Sequence, residues 1–566
     1  MVRNLSRRRS CGPASWALRI STWSPRDETT PLADFTKRLG STLLKRAHGS
    51  ISGSRGATSW AATGDTCRKL VSETQALPRH AATRARLRAL SIFAVSSAFA
   101  FTVSGATLSQ PPVWDGAMSV YPAAIELART DFDLGRLLSL PTYTEGGPNT
   151  HSLSAWTLLV GAAIGPLGGL QKLLPYLHAL SFALYGLLVL AIYLIIRRST
   201  SNQMALLGAA VAGIFPPLLV QAADVYIDLP VACLTAWSVH ALLQRKYIRA
   251  AVLISAAIWF KPIGVIYLPV LLLHYLRHGN PRGRLLAASS LLVAPVAVLA
   301  LITAFGTPKG QLDAPTIRLT GASVSTGQLL MTVPDVLGLI LLTLVVASIA
   351  LRRRRLVEQL EIAVFVLLGA FAFAVLNPLV TIGIPLLPRY YIGIVPLLIA
   401  GLVVQLSNSS RAAGRLTLGA IGLVFLVNLS GSLYPYKTHA TYALAERSFA
   451  YQDLLHLQQE GVALLEDVGR TRPIYFDFYR YFQFHYPEMG YTSGPPTEGV
   501  STYHDINASL EIENLPNEFA LLFEYPTIGG GQLKEIWDNA VESGAAVREV
   551  PLRRGSYTIY LVEIAH

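Results

Sequence analysis

Apolar residues along this chain fall in long blocks separated by short polar or charged stretches, with little of the period that marks an amphipathic surface helix. A membrane-spanning helix needs about 20 such residues. Eleven segments qualify: Ala89–Leu108, Leu173–Ile196, Met204–Ala223, Leu229–Leu243, Ile248–Phe260, Ile263–Leu276, Leu285–Gly306, Met331–Leu351, Leu360–Pro378, Tyr390–Leu406 and Leu416–Leu433. The pair flanking Lys261-Pro262 is short and also fits one broken helix. The stretch His151 to Leu170 is apolar too, but Gly165, Pro166, Gly168 and Gly169 interrupt it. It is expected to lie on the membrane face or re-enter it. Between the first two spans, Tyr121, Ile125, Ala128 and Phe132 recur at helical spacing, predicting an amphipathic surface helix within Val120–Leu140.

After Tyr434 the pattern changes. Ile474–Tyr479, Phe519–Glu524 and Tyr557–Ile564 read as strands, and Tyr451–Asp467 and Leu533–Ser543 as helices, predicting a small α/β domain. An aromatic cluster runs from Tyr475 through Phe476, Phe478, Tyr479, Tyr481, Phe482, Phe484 and His485 to Tyr486. It suits an aromatic core facing the membrane block, or a surface that stacks on sugar rings.

Composition supports this division. The 566 residues are 52% hydrophobic and 14% charged, with a mean hydropathy of +0.43. An ordinary soluble chain carries about 25% charged residues. Three cysteines, Cys11, Cys67 and Cys233, provide neither a disulfide framework nor a Cys-based metal site. Charge separates the chain into three parts: net +12 over residues 1–88, +10 over 89–433 and −9 over 434–566. The first part is expected to be a disordered cytoplasmic arm, topogenic or in contact with membrane lipids. No aromatic-basic interleaving supports nucleic-acid binding. No short signal-peptide core precedes Arg88, so the first apolar segment is expected to stay as an anchor.

Lysine and arginine bias sets the expected orientation. With the arm inside, 14 of the 21 basic residues of the membrane block fall on inside loops, among them Arg197, Arg198, Arg245, Arg277 and Arg352 to Arg355. Nine of its eleven acids then fall outside. The outer loop 109–170 and the acidic domain 434–566 would lie outside as well.

Four motifs map to that outer face: Val113-Trp114-Asp115-Gly116, Asp224-Val225-Tyr226-Ile227-Asp228-Leu229-Pro230, Trp259-Phe260-Lys261-Pro262 and Leu387-Pro388-Arg389-Tyr390-Tyr391. Each has a structural alternative. Asp115 and Asp228 can cap helices, Lys261 can snorkel to head groups, and Arg389 with Tyr390 can anchor a helix at the interface. Together they place two carboxylates and two cations at one depth. Carboxylates can take a proton from a hydroxyl, and cations can hold a phosphate.

In order and spacing these motifs resemble the membrane-embedded GT-C glycosyltransferases, in particular the bacterial branch near the protein O-mannosyltransferases and the lipid A aminoarabinose transferase. The resemblance covers about Ala89 to Leu433. It departs at Gly116, where many members carry a second acid, at Met118, where a basic residue is common, and at Pro148-Asn149-Thr150-His151, a reduced form of a His-Pro-Pro-like element. The resemblance implies a polytopic α-helical fold with an extracytoplasmic α/β domain in the cell membrane. It implies inverting transfer of a sugar from a polyprenyl-phosphate donor to an envelope lipid, glycan or protein. Asp115 would be the general base and Asp228 would orient the acceptor or the cations. Lys261, Arg389, Tyr390 and His151 would contact the donor phosphate. Two cations can neutralise a monophosphate, so no metal or other cofactor is expected. A transporter of lipid-linked sugars and a non-catalytic envelope assembly protein are the alternatives. The first would place its ionisable groups near the midplane and often show internal repeats.

Overall fold

In the computed structural model, the described residues are 83–113, 116–133, 154–279, 358–364, 388–409, 411–429, 451–469, 472–476, 478–492, 502–503, 517–524, 530–555 and 557–565, with isolated positions 293, 296–297, 300 and 366. The expected spans Leu285–Gly306 and Met331–Leu351 and most of Leu360–Pro378 lie outside this set, as does nearly all of the arm.

Two helices among the described residues are long and apolar enough to cross a membrane: α1 (Thr83–Thr107) and α4 (Leu170–Arg197). A third crossing is available if α5 (Asn202–Gly213) and α6 (Pro216–Ala223), bent by 64° at their junction, count as one span. The bend falls before Pro216-Pro217, which fit the first turn of a helix but cannot continue one. Shorter apolar helices follow: α7 (Asp228–Leu243), α8 (Tyr247–Phe260), α9 (Leu268–His278), α10 (Val395–Ser409) and α11 (Arg411–Leu429). Lys261 adopts an extended backbone between α8 and a 3-10 segment, Pro262–Tyr267. A residue before proline is disfavoured in the α region, so the Lys261-Pro262 pair ends α8.

Glycines permit the closest helix approaches. A Cβ on Gly186 of α4 would lie 2.1 Å from Ser97 Oγ and 2.8 Å from the Phe93 carbonyl of α1. One on Gly208 of α5 would lie 2.7 Å from Val403 of α10.

The loop between the first two spans differs from its amphipathic expectation. A π-helical turn, Gly116–Val120, leads into α2 (Tyr121–Arg129), where seven residues are buried. The chain then leaves the helix through Asp131 and Phe132, both at positive φ. Helix α2 is therefore packed within the protein, against α3 (Ala155–Ile164) and the C-terminal region. At ten residues α3 rises about 15 Å, half the thickness of a bilayer's hydrocarbon core.

The C-terminal region contains α12 (Tyr451–Gly469), β1 (Ile474–Phe476), α13 (Phe478–His485), β2 (Thr502–Tyr503), β3 (Glu518–Glu524), α14 (Gly530–Glu542), β4 (Ala546–Arg554) and β5 (Tyr557–Ala565). The five strands form one sheet in the order β2-β1-β3-β5-β4. Strand β1 runs parallel to β2 and β3, while β3, β5 and β4 are antiparallel, with Leu521 opposite Val562 and Val550 opposite Leu561. The near-continuous apolar run of β3 marks a strand covered on both faces. Phe519, Leu521 and Phe523 face α14, whereas Ala520 and Leu522 face α12. The expected strand to Tyr479 ends at Phe476, because Phe478 already begins α13. Of the aromatic cluster, Phe476, Phe482, Phe484 and Tyr486 are buried in one apolar core with Val113, Tyr121, Trp156, Tyr226 and Leu454. A single core thus joins the outer loop, the mouth of α7 and the C-terminal region.

Candidate functional site

The bundle has two chemically distinct ends. At one, Arg198 after α4 and Arg245 after α7 approach Glu358 at 3.8 and 3.9 Å. At the other, the starts of α7 and of the 3-10 segment meet the turn before α10.

Asp228 opens α7. The N-cap is Ile227, with no side-chain capping bond, and the Asp228 carboxylate instead accepts two hydrogen bonds from Lys261 Nζ, at 2.8 and 2.9 Å. The positive end of the α7 dipole also attracts the carboxylate. Lys261 is 5% exposed and Asp228 3%, so the lysine does not snorkel. Arg389, carried by the 3-10 turn Pro388–Tyr391, is 3% exposed and places Nε 3.8 Å from the second oxygen of Asp228. Tyr226 lies between the two cations, with Lys261 Nζ 5.1 Å and the Arg389 guanidinium carbon 5.5 Å from its ring centre. These distances fall within the range of cation–π attraction.

The chain is held at a point on either side of Asp115, by different partners. The Tyr121 hydroxyl donates to the Val225 carbonyl at 2.6 Å, and Trp156 Nε1 donates to the Tyr121 hydroxyl at 3.4 Å. Tyr491, from the C-terminal region, donates to the Pro112 carbonyl at 2.7 Å. The Gly116 N–H reaches the Val113 carbonyl at 3.1 Å. Burial first, and then the nearby charge of Asp224, push the hydroxyls of Tyr121 and Tyr451 well above the ordinary phenol range. Both therefore stay protonated, and Tyr121 serves as a donor to the Val225 carbonyl.

Of the residues predicted for the site, Asp228, Lys261 and Arg389 come together in one buried cluster. Asp115 and His151 lie outside the described residues. Tyr390 is placed by its backbone, in the turn that carries Arg389. Three participants were not singled out from sequence: Tyr226, Asp224 and Tyr121. The first two were legible as the polar members of the Asp224-to-Asp228 motif. Tyr121 carried no signal beyond its helical spacing.

Two of the solved structures similar to this chain are of one protein. One is the crystal structure of ArnT from Cupriavidus metallidurans in the apo state, 15% identical, covering 84% of this chain and 98% of that one, with a TM-score of 0.45. The other is ArnT from the same organism bound to undecaprenyl phosphate, 14% identical, covering 83% and 97%, with a TM-score of 0.48. No family model matches the chain, and no curated protein matches it.

Proposed function

We propose that this protein is a polyprenyl-phosphate-sugar-dependent glycosyltransferase of the cell membrane, moving a hexosyl or pentosyl group to an envelope lipid, glycan or protein on the outer face. The observation that carries the reading is the buried Asp228–Lys261–Arg389 cluster over the Tyr226 ring. Removing three charges from water is costly unless they are paired and used. Two cations held on one carboxylate are arranged to receive a second anion, and the phosphodiester of a polyprenyl-phosphate sugar supplies one.

In this mechanism Lys261 and Arg389 bind the donor phosphate, with Tyr390 and His151 at its edge. Asp228 keeps the two cations in register. Asp115 removes the proton from the acceptor hydroxyl, whose oxygen attacks the anomeric carbon from the face opposite the phosphate. The C–O bond to phosphate breaks with inversion, and polyprenyl phosphate leaves with the bonding pair. Lys261 and Arg389 neutralise the charge that develops on it. The bond from Tyr121 to Val225 supports this, because it ties the stretch that follows Asp115 to the loop that carries Asp228.

The test is a transfer assay in membranes with labelled polyprenyl-phosphate sugars, comparing the parent chain with Asp115→Asn. Label is expected to reach an envelope acceptor with the parent alone, while the variant inserts normally. Full turnover by Asp115→Asn would remove the base assignment. Labelled lipid-linked sugar crossing the bilayer without transfer would favour the transporter.

A further inference from the structure

The opposite end of the bundle holds a second group of buried ionisable side chains. From Lys261 to His278 the chain rises roughly 28 Å through the 3-10 segment and α9, so this group is separate from the Asp228 cluster. His274 and His278 are four residues apart on α9, which sets two imidazoles on one face. Their ring centres are 4.7 Å apart. Glu361, in the helical stretch 358–364, approaches them, with Oε2 3.1 Å from His278 Nε2. One ligand atom of each residue lies within 4.8 Å of the others. His274 is 1% exposed and Glu361 2%, and His274 Nδ1 has no hydrogen-bond partner among the described residues. Leaving a buried polar nitrogen unsatisfied is costly.

We propose that His274, His278 and Glu361 bind one divalent transition-metal ion, best matched by Zn2+, which clamps α9 to the stretch 358–364. Two neutral imidazoles and a carboxylate form an open three-ligand set that leaves a fourth position for water. Ligand bonds of about 2.0–2.1 Å in a tetrahedron put neighbouring ligand atoms about 3.3 Å apart. The His278–Glu361 separation matches that edge, and the widest separation needs a closure of about 1.5 Å. Ca2+ and Mg2+ favour all-oxygen ligands and suit the site poorly. The C-terminal end of α9, where both histidines sit, attracts a cation.

Among the described residues, three arginines lie near the site. Arg198 and Arg245 lie against Glu358. Arg277 does compete, at 3.4 Å from Glu361 Oε1, but its side chain is 57% exposed and can swing into solvent.

The test uses the full chain in detergent, stripped with a chelator, loaded with Zn2+ and desalted before elemental analysis. About one Zn2+ per chain is expected in the parent, with at least a fivefold loss in His278→Gln and Glu361→Gln. Co2+ loading of the parent is expected to give the intense visible bands of four-coordinate Co2+, a readout that needs no variant to fold. Arg277→Ala is expected to bind Zn2+ several-fold tighter, since the competing cation is gone. A parent that retains no metal, a six-coordinate Co2+ spectrum, equal retention in His278→Gln, or unchanged or weaker binding in Arg277→Ala would each overturn the proposal.

Discussion

Replacing Asp228 with Asn keeps the side-chain shape but leaves Lys261 and Arg389 buried beside an uncharged partner. The ammonium lies 2.8 Å from one carboxylate oxygen and Arg389 Nε 3.8 Å from the other. At an effective dielectric constant near 20, these separations correspond to about 6 and about 4 kcal/mol of gross attraction. Desolvation offsets much of this while the cluster is complete. It is not recovered when one partner alone is removed, so Asp228→Asn is expected to cost about 3–5 kcal/mol. Lys261→Met is expected to cost less, about 2–3 kcal/mol, because Arg389 still faces the carboxylate. In the double variant the buried ammonium and carboxylate disappear together. Its loss should fall short of the sum of the single losses by about 2–3 kcal/mol. Equilibrium unfolding of the four purified chains in one mixed-micelle system, followed by circular dichroism, measures the cycle. Losses that add to within about 0.5 kcal/mol would show that the two side chains do not act together, and the reasoning from buried pairing to a phosphate site would fail with it.

Gly186→Ala forces a Cβ against the Phe93 carbonyl, which cannot rotate away as Ser97 can, so thermal unfolding should show about 1–3 kcal/mol of destabilisation; an unchanged transition would mean that α1 and α4 pack less closely than described. Arg129 bridges Glu126 of its own helix and Glu488 of the C-terminal region, but it is 44% exposed, so Arg129→Ala should cost under about 1 kcal/mol and lose even that in high salt; a larger, salt-independent loss would contradict a solvent-screened bridge. A reporter fused after Leu170 should read extracytoplasmic, and a cytoplasmic signal would reverse the expected orientation of every later loop.

Much of this arrangement was legible in the sequence, and the reason is local. Apolar run length follows from the thickness of a bilayer, so the boundaries of α4 and α8 and the end of α1 could be read within three residues, while α1 begins six residues before the expected Ala89. The Lys261-Pro262 break is written in the steric demand of proline on the residue before it. Strand β3 was visible because both its faces are covered. Sequence also brought Asp228, Lys261 and Arg389 onto one face, since each sits where an apolar run begins or ends.

Tertiary structure alone decided what those residues do there. Capping, snorkelling and ion pairing draw on the same side chains, and a sequence cannot rank them until distances are known. Asp228 pairs with Lys261 because α7 and α8 pack side by side and bring residues 33 positions apart within 2.8 Å. Helix α2, amphipathic in period, is buried because α3 and the C-terminal region pack against it. The His274–His278 spacing becomes a three-ligand set only when Glu361, more than 80 residues later, is folded against it. Local patterning fixes where helices begin and end, because that depends on neighbours in sequence. Charge pairing and burial depend on neighbours in space, and the packing of the folded chain creates them.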